Sequence, residues 1–394
     1  MELWHDKGQN PNWNPAFDEV VPVINEQQDA VTVEHNPFQS TDGYQGAIRP
    51  VLGTEDGPGI FSWWTGARLR NLIEDEYAMD VTDVWQDHID DGEYPESMID
   101  TFGSDGRAYA APLQTSYWSV WYNTETFDDL GVSPPETWEE FLQLCEDIIA
   151  ESDEDTVPIA LPLNPSWTGF IWYEELVLRE SPEFYQELCQ GERAYTDDTS
   201  LTALETIGQM QRDGYFGPSD AAFEMALDDL PRLLDGGDYA MTLLGDWFST
   251  LFGEDLDFGK YEWFELPPIN GDLDPMLISE PTPLVPHTGW GDEETVKAVT
   301  DAILSPEFQE AWAQTQNVVP PNSAVDASFL PDNIQGLAQA VASGDYSFPL
   351  RYWENTSPDV AVPAGQSLKE IHQNPGNAQS ILEGVDQTRR DVYE

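Results

Sequence analysis

Hydrophobic positions along the chain follow two periods, and the switches between them lay out the elements. Glu2 to His5 reads as a short strand, and the apolar spacing that follows predicts a helix from about 16 to 28. A strand is expected over 31–38, then a helix over 44–52, a strand over 59–64, a helix over 67–76 and another strand in "RAYAAPLQ". This β-α-β alternation predicts a parallel-rich sheet with helical crossovers.

After Pro112 the pattern "SYWSVWYN" is expected to open a second unit. Helices are predicted over 124–130 and 137–151, the latter begun by Thr137 with Glu140 three residues on, the spacing of a capping box. Next come a strand over 157–162, helices over 168–179, 182–190, 199–212 and 220–234, and a strand over 239–244. The stretches 261–269 and 277–287 read as extended, and helices over 292–303, 305–314, 328–342 and 376–391 complete the chain.

In "GIFSWWTGARLRNL" two tryptophans meet where a strand gives way to a helix. Alternation along Ile60 to Trp64 sends one of Trp63 and Trp64 toward the core and leaves the other near the carboxyl edge, where α/β folds bind ligands. One of the two indoles is therefore expected to meet a ligand.

Composition adds a constraint. The 394 residues carry 75 Asp plus Glu against 15 Lys plus Arg, a formal net charge of -60. Acids are spread between apolar periods instead of forming a tail, and the length allows two or more domains, each with its own core. Such a surface repels itself in dilute salt and is screened in concentrated salt, so a halophilic setting is expected. The scarcity of lysine (Lys7, Lys260, Lys297 and Lys369) points the same way. Nucleic acid is not an expected partner, because no basic stripe exists to neutralise phosphates.

Cys145 and Cys189 lie in helix-like stretches and are read as buried free thiols. No run of about 18 apolar residues occurs, and no leader pattern precedes the first strand. An export signal and a membrane tether are expected outside this chain. Asn355-Thr356-Ser357 is a glycosylation sequon, awkward to modify if Tyr352 and Trp353 line a cleft.

The five histidines form no HxxxH spacing and neither cysteine belongs to a CxxC, so no catalytic zinc site is expected; the acidic surface offers oxygens for incidental calcium, although no 12-residue EF-hand loop is visible. There is no GxxxxGK loop, no GxGxxG after the first strand and no GxSxG elbow, so no cofactor is expected either. A pair of carboxylates for glycoside hydrolysis carries little information among 75 acids.

Aromatic residues say more. Trp4, Trp13, Tyr44, Trp63, Trp64, Tyr117, Trp118, Trp121, Trp167, Trp172, Trp247, Trp290, Tyr352 and Trp353 cluster at candidate strand ends beside polar residues. That pairing suits a sugar: an indole covers the apolar face of the ring while amides and carboxylates receive its hydroxyls. Each is equally a candidate for the core, Trp118, Trp121 and Trp172 more so than Trp64, Trp247 and Trp353. In "LLGDWFSTLFG", Gly245 permits a tight turn, Asp246 either caps the next helix or meets ligand, and Trp247 stands in its first turn. Asp6 and Glu280 occupy comparable strand exits, as ligand contacts or solvated acids. Arg351, in "FPLRYWEN", hydrogen-bonds a sugar or pairs with one of the many acids.

These segments resemble the extracellular solute-binding proteins of ABC importers, in the carbohydrate group that includes the maltose- and glucose-binding proteins. The resemblance is carried by "ELWH", by "EDGPGIFSWWTGARLRNLIEDEYAMDVTDVW" at 55–85, by "DGRAYAAPLQTSYWSVWYNTETFDDLGVSPPETWEEFLQLCEDI" at 105–148, by "LLDGGDYAMTLLGDWF" at 233–248 and by "LSPEFQEAWAQTQNVVPPNSAV" at 304–325. It implies a periplasmic-binding-protein-like (type II) α/β fold: two α/β lobes with an interlobe cleft, crossed near 112–116, 264–268 and 315–319. The N-lobe would comprise 1–113 and 267–315, and the C-lobe 114–266 and 316–394.

Carried over position by position, the resemblance implies ligand contacts from Trp4, His5, Asp6 and Trp13 in the first loop, and from Trp63, Trp64 and Thr65. Gln114 and Thr115 fall at the first crossing. Asp246 and Trp247 match a sugar-stacking segment, Glu280 stands where sugar binders often carry an acid, and Arg351, Tyr352 and Trp353 match a late loop. Tyr44, Trp118 and Trp167 join the candidates on their aromatic character. "SWW" and "DKGQNPNW" depart from the usual pattern, and the added aromatic surface suits a disaccharide or short oligosaccharide.

The implied function is the substrate-binding component of an ABC sugar importer, closing its lobes over a mono- or oligosaccharide without chemistry. It would be an extracellular monomer tethered to the membrane by a lipid or N-terminal anchor and recognised by the permease's transmembrane subunits. A secreted glycoside hydrolase with an aromatic-lined cleft is the alternative. A surface-layer domain would explain the acidity but not the strand-end tryptophans.

Overall fold

The computed structural model describes residues 1–8, 13–152, 155–253, 256–270 and 273–394. Part of the loop "DKGQNPNW" (residues 9–12) lies outside them. The chain divides into two compact units, Met1–Ser116 with Glu280–Ala342, and Tyr117–Ser279 with Ser343–Glu394.

In the first unit the strand Glu2–His5 pairs in parallel with Glu34–Pro37 and with Ile60–Ser62, in the registers Leu3↔His35 and Leu3↔Ile60. Ser279–Pro286 adds to Ile60–Ser62 antiparallel, setting Val285 against Phe61. The helices Trp13–Gln27 and Thr41–Ile48 make the crossovers between parallel strands, as the alternation predicts. Ala16, Phe17, Val20, Val21 and Ile24 of the first crossover are buried, the three-and-four spacing of one helix face. Helices Glu293–Leu304 and Pro306–Gln316 pack on the same core, opened by Asp292 and Ser305, whose side chains accept from the amides of Thr295 and Phe308.

The second unit is built on residues 117–123 of the strand Ala111–Asn123. The second unit begins at Tyr117, and a single strand of 13 residues runs from "RAYAAPLQ" into "SYWSVWYN", while Arg107–Ala108 stands apart, paired with Gly103–Ser104. Trp118 lies opposite Gly245 and Val120 opposite Leu243 of the antiparallel strand Tyr239–Gly245, while Val157–Ala160 pairs with that strand in parallel. Tyr261–Phe264 pairs antiparallel with Ala111–Asn123, setting Val120 opposite Phe264. The helix Trp138–Glu151 opens on the expected box, Thr137 Oγ1 accepting from the Glu140 amide at 3.2 Å and Glu140 Oε2 from the Thr137 amide at 3.2 Å.

Some elements differ from the pattern. The helix expected over 220–234 is broken into Ser219–Glu224, a 3-10 turn and Leu230–Asp235: the backbone turns extended at Met225 (φ -64°, ψ 122°), and Pro231 falls in the first turn of the last piece, where its missing N–H leaves no intrahelical bond unmade. Helices Thr82–Asp90 and Pro358–Leu368 were not anticipated.

The unit boundaries shift as well. Residues 316–342 group with the first unit, where Val318 joins the core, Asn322 Nδ2 donates to Leu304 O at 3.0 Å and the Ser323 amide to Glu93 O at 2.7 Å. Residues 267–279 group with the second, where the Leu277 and Ser279 amides donate to Ser347 O and Pro349 O.

Candidate functional site

In the first unit, alternation separates the tryptophan pair as expected. Trp63 is buried and donates from Nε1 to Arg68 O at 3.2 Å, while Trp64 is half-buried with the Arg68 guanidinium 5.0 Å from its ring centroid. The two indoles meet edge to face at 5.0 Å. Trp13 and Tyr44 belong to the core: Trp13 packs edge-on to Trp312, and Tyr44 donates from its hydroxyl to Ser62 O at 2.6 Å. Trp4 is half-buried, donates to Glu2 Oε2 at 2.6 Å and lies 5.1 Å from Phe38. His5 is fully buried against Phe17, and burial together with His35 pushes its pKa down to about 3.

The polar candidates of this unit are each held separately. Asp6 is 4% exposed and accepts from Thr41 Oγ1 at 3.1 Å and Ser62 Oγ at 3.4 Å, with Lys7 Nζ at 3.7 Å. Gln114 accepts from Trp312 Nε1 at 3.0 Å and donates to Ser116 Oγ at 3.0 Å. Thr65 precedes the helix Gly66–Glu74 without capping it, and Thr65 Oγ1 and Thr115 Oγ1 are buried with no hydrogen-bond partner among the described residues. Glu280 is half-buried on the strand Ser279–Pro286.

In the second unit a group of indoles forms around Gly245. Trp118 is buried, with Trp247 edge-on at 6.1 Å, and Trp167 meets Trp247 at 6.5 Å. Trp247 and Trp167 are half-buried. Gly245 makes this possible, though not through a special turn: its φ is -66°, and a Cβ there would lie 2.6 Å from Trp247 Nε1 and 3.3 Å from Trp118 Nε1. Asp246 does not cap the next helical turn; Gly245 holds that place and Asp246, fully buried, is the first residue of the 3-10 turn Asp246–Leu251. Burial, reinforced by Asp246, raises the Tyr117 pKa.

Arg351 lies over this group, its guanidinium carbon 3.9 Å from the ring centroid of Trp118, 4.9 Å from that of Trp167 and 5.2 Å from that of Phe170. Its Nε donates to Glu174 Oε1 at 3.3 Å, and the Tyr352 amide donates to Glu174 Oε2 at 2.8 Å. Trp353 stacks on Phe170 at 5.7 Å, whereas Tyr352 is wholly buried with its hydroxyl against that of Tyr195. Trp121 and Trp172 are core residues, the former donating to Leu244 O at 3.2 Å.

Glu174 and Phe170 are absent from the sequence expectations. Glu174 lies in the helix Ile171–Glu180, buried from Ile171 to Arg179, where burial raises its pKa to about 8 against the pull of Arg351. Its signal was the pair Glu174-Glu175 inside an otherwise apolar run, since buried carboxylates require partners. The partner of Glu175 is Arg179, at 3.2 Å, which also reaches Glu265 at 2.7 Å.

Among the described residues no group of three or more His, Cys, Asp or Glu is placed to hold a metal ion, and no helix is long and apolar enough to cross a membrane. Cys145 and Cys189 are buried free thiols, and burial pushes Cys189 up to about 12. The sequon is closed to a glycan in the folded chain, because Asn355 is 6% exposed and donates to Gln186 Oε1 at 3.3 Å.

Residues 20–340 match a family model described as bacterial extracellular solute-binding protein. The α-glucosides-binding periplasmic protein AglE of Rhizobium meliloti is 30% identical over 316 residues, 72% of this chain and 65% of that protein. The osmoprotective compounds-binding protein GgtB of Synechocystis is 23% identical over 252 residues, 61% of this chain and 58% of its own length. The chain thus spans about three fifths of the length of these curated relatives. Among solved structures, the bacterial solute receptor AcbH, described as preferring β-D-galactopyranose, superposes with a TM-score of 0.86 at 18% identity, over 100% of this chain and 99% of its own. That likeness establishes the periplasmic-binding-protein-like α/β fold.

Proposed function

The chain belongs to the bacterial extracellular solute-binding proteins, and from that premise we propose that it is the substrate-binding component of an ABC sugar importer, capturing a mono- or oligosaccharide without transforming it. The observation that carries this reading is the group Trp118, Trp167 and Trp247, assembled around Gly245 with two of its indoles half-buried. A half-buried indole presents an apolar face to a sugar's C–H face, while of its polar neighbours Asp246 is of the type that accepts from a sugar hydroxyl and Arg351 of the type that donates to one. The first unit offers a second, smaller set in Trp64, Asp6 and Thr65.

One curated relative named for α-glucosides and another for melibiose, raffinose and stachyose, with structural neighbours described as binding β-D-galactopyranose and chitin oligosaccharide, support a carbohydrate over other solutes. The transmembrane subunits of a permease would take the loaded protein as their partner. The proposal places the chain, as a monomer, outside the cell, tethered by a lipid or N-terminal anchor, in a halophile. The net charge of -60 favours that setting.

The test is intrinsic tryptophan fluorescence in concentrated KCl, with folding checked by circular dichroism, during titration of glucose, maltose, trehalose and short oligosaccharides. A saturable change with the sugar recovered intact supports the proposal. Cleavage of a glycoside would support the hydrolase instead, and a folded protein indifferent to every sugar would sink the substrate class.

A further inference from the structure

A group of indoles on a protein of net charge -60 has an electrostatic liability. The faces of tryptophan attract cations, and a strongly acidic surface raises the local concentration of cations around it. An open indole group here would draw ammonium solutes in preference to neutral sugars.

The structure places a cation of the protein's own in that position. The Arg351 guanidinium carbon sits 3.9 Å from the Trp118 centroid, 4.9 Å from that of Trp167 and 5.2 Å from that of Phe170, all inside the range of about 6 Å over which a ring attracts a cation. It is 2% exposed, enclosed by the residues around it. What holds it is Glu174, fully enclosed, which receives Arg351 Nε at 3.3 Å with one oxygen and the Tyr352 amide at 2.8 Å with the other. The second bond fixes the backbone next to Arg351, and the first fixes the head group.

We propose that Arg351, positioned by Glu174, is a specificity residue that excludes cationic solutes: it occupies the cation-attracting faces of Trp118 and Trp167 and repels a second positive charge, leaving the half-buried indole surface to neutral rings. The class rejected is quaternary and primary ammonium compounds, amino sugars included. The inference rests on reading this indole group as the solute site, and deepens that reading.

The probe is tetramethylammonium chloride exchanged for NaCl at constant ionic strength, followed by tryptophan fluorescence and calorimetry. The wild type is expected not to respond. The double variant Arg351→Gln with Glu174→Gln removes the guanidinium together with the acid that receives its Nε, and is expected to gain saturable binding at least about tenfold tighter than the wild type. That binding should vanish when Trp167→Ala is added. Arg351→Lys, which keeps the charge and its partner, is expected to exclude the probe as the wild type does.

A wild type that binds tetramethylammonium as tightly as the double variant overturns the inference, as does an Arg351→Lys protein that gains the cation, or a folded double variant that does not. Sugar titrations of the same proteins separate the two readings. Cation binding gained only in the double variant, together with a wild type that ignores every sugar, would keep the filter and remove the sugar. Sugar binding by a wild type that also takes up tetramethylammonium would do the reverse.

Discussion

His5 lies flat on Phe17, their ring centroids 3.9 Å apart and their planes 14° from parallel. Its Nε2 faces His35 Nδ1 at 3.1 Å, and His35 Nε2 reaches Asp18 Oδ1 at 2.9 Å. Burial and His35 push the His5 pKa down to about 3, against the pull of Asp6. Burial alone does the same to His372, also to about 3. The folded state therefore binds fewer protons than the unfolded chain between pH 6.5 and 3, so this stability is complete above pH 6.5 and is lost as pH falls. The slope approaches about 1.4 kcal/mol per pH unit for each histidine. Thermal midpoints are expected to drop between pH 7 and pH 4, and to drop less steeply in His372→Gln. Parallel curves for the two proteins would show that His372 is not buried neutral.

Glu174 has the opposite sign. Its pKa, raised by burial from 4.5 to about 8, means that the folded state holds a proton which the unfolded chain has released. That contribution is complete below pH 4.5 and lost as pH rises through 8. Urea denaturation between pH 5 and pH 9 is expected to show stability falling with pH in the wild type and a flatter dependence in Glu174→Gln. A variant with a steeper alkaline loss than its parent would contradict this, and would mean that the pair with Arg351 is ionised throughout.

The crossovers of the first unit and the capped helices were legible because their signals are local: Phe17, Val20 and Ile24 on one face, Thr137 three residues before Glu140. The split of Trp63 from Trp64 followed from the period of a strand. Contacts distant in sequence were not legible. Nothing near Arg351 names Glu174, 177 positions away, as its partner, and nothing near His5 marks it as a residue that packs on Phe17. The strand through Pro112 and the shift of residues 316–342 depend on pairings of the same distant kind. Gly245 was read as a turn residue, whereas its small size serves two indoles, Trp118 within the strand Ala111–Asn123 and Trp247 in the turn that follows Gly245.

Thr137→Ala removes one half of a capping box whose other half, Glu140, also receives the Glu136 amide at 2.8 Å. The helix it opens buries Trp138, Phe141, Leu144, Cys145 and Ile148, so fraying its first turn loosens a packed face. A loss of about 1 kcal/mol is expected by chemical denaturation, with little change for Thr137→Ser. Equal losses for both would assign the effect to packing.

Trp247→Ala tests the indole group without opening the core, because Trp247 is half-buried whereas Trp118 beside it is buried. Sugar affinity is expected to fall by about ten- to a hundredfold, the scale of losing one aromatic contact at a hot spot, with the melting temperature nearly unchanged. Trp172→Ala, in the core against Phe216, should instead cost about 3 kcal/mol or more of stability. A Trp247→Ala protein that binds sugar normally would move the site away from this group.

Salt should decide whether the fold is stable at all. The few cations are shared: Lys297 lies 2.9 Å from both Asp83 and Glu293, and Lys260 reaches Glu125 at 2.9 Å and Asp235 at 3.9 Å. Sharing cannot compensate 75 acids with 15 bases, so carboxylates on neighbouring helix turns repel. The helix Trp138–Glu151 shows the problem, with Glu139, Glu146 and Glu151 exposed and no basic residue among its 14. Raising salt from about 0.1 M to 1 M shortens the screening length from about 10 Å to about 3 Å and should raise the melting temperature steeply. The triple variant Glu139→Gln, Glu146→Gln, Glu151→Gln should melt higher than the wild type in dilute salt and at nearly the same temperature in concentrated salt. Repulsion is the term that salt removes, so neutralising the carboxylates in advance leaves salt less to do. A gain that persists undiminished at high salt would trace to helix propensity instead, and would leave the halophilic reading without its physical basis.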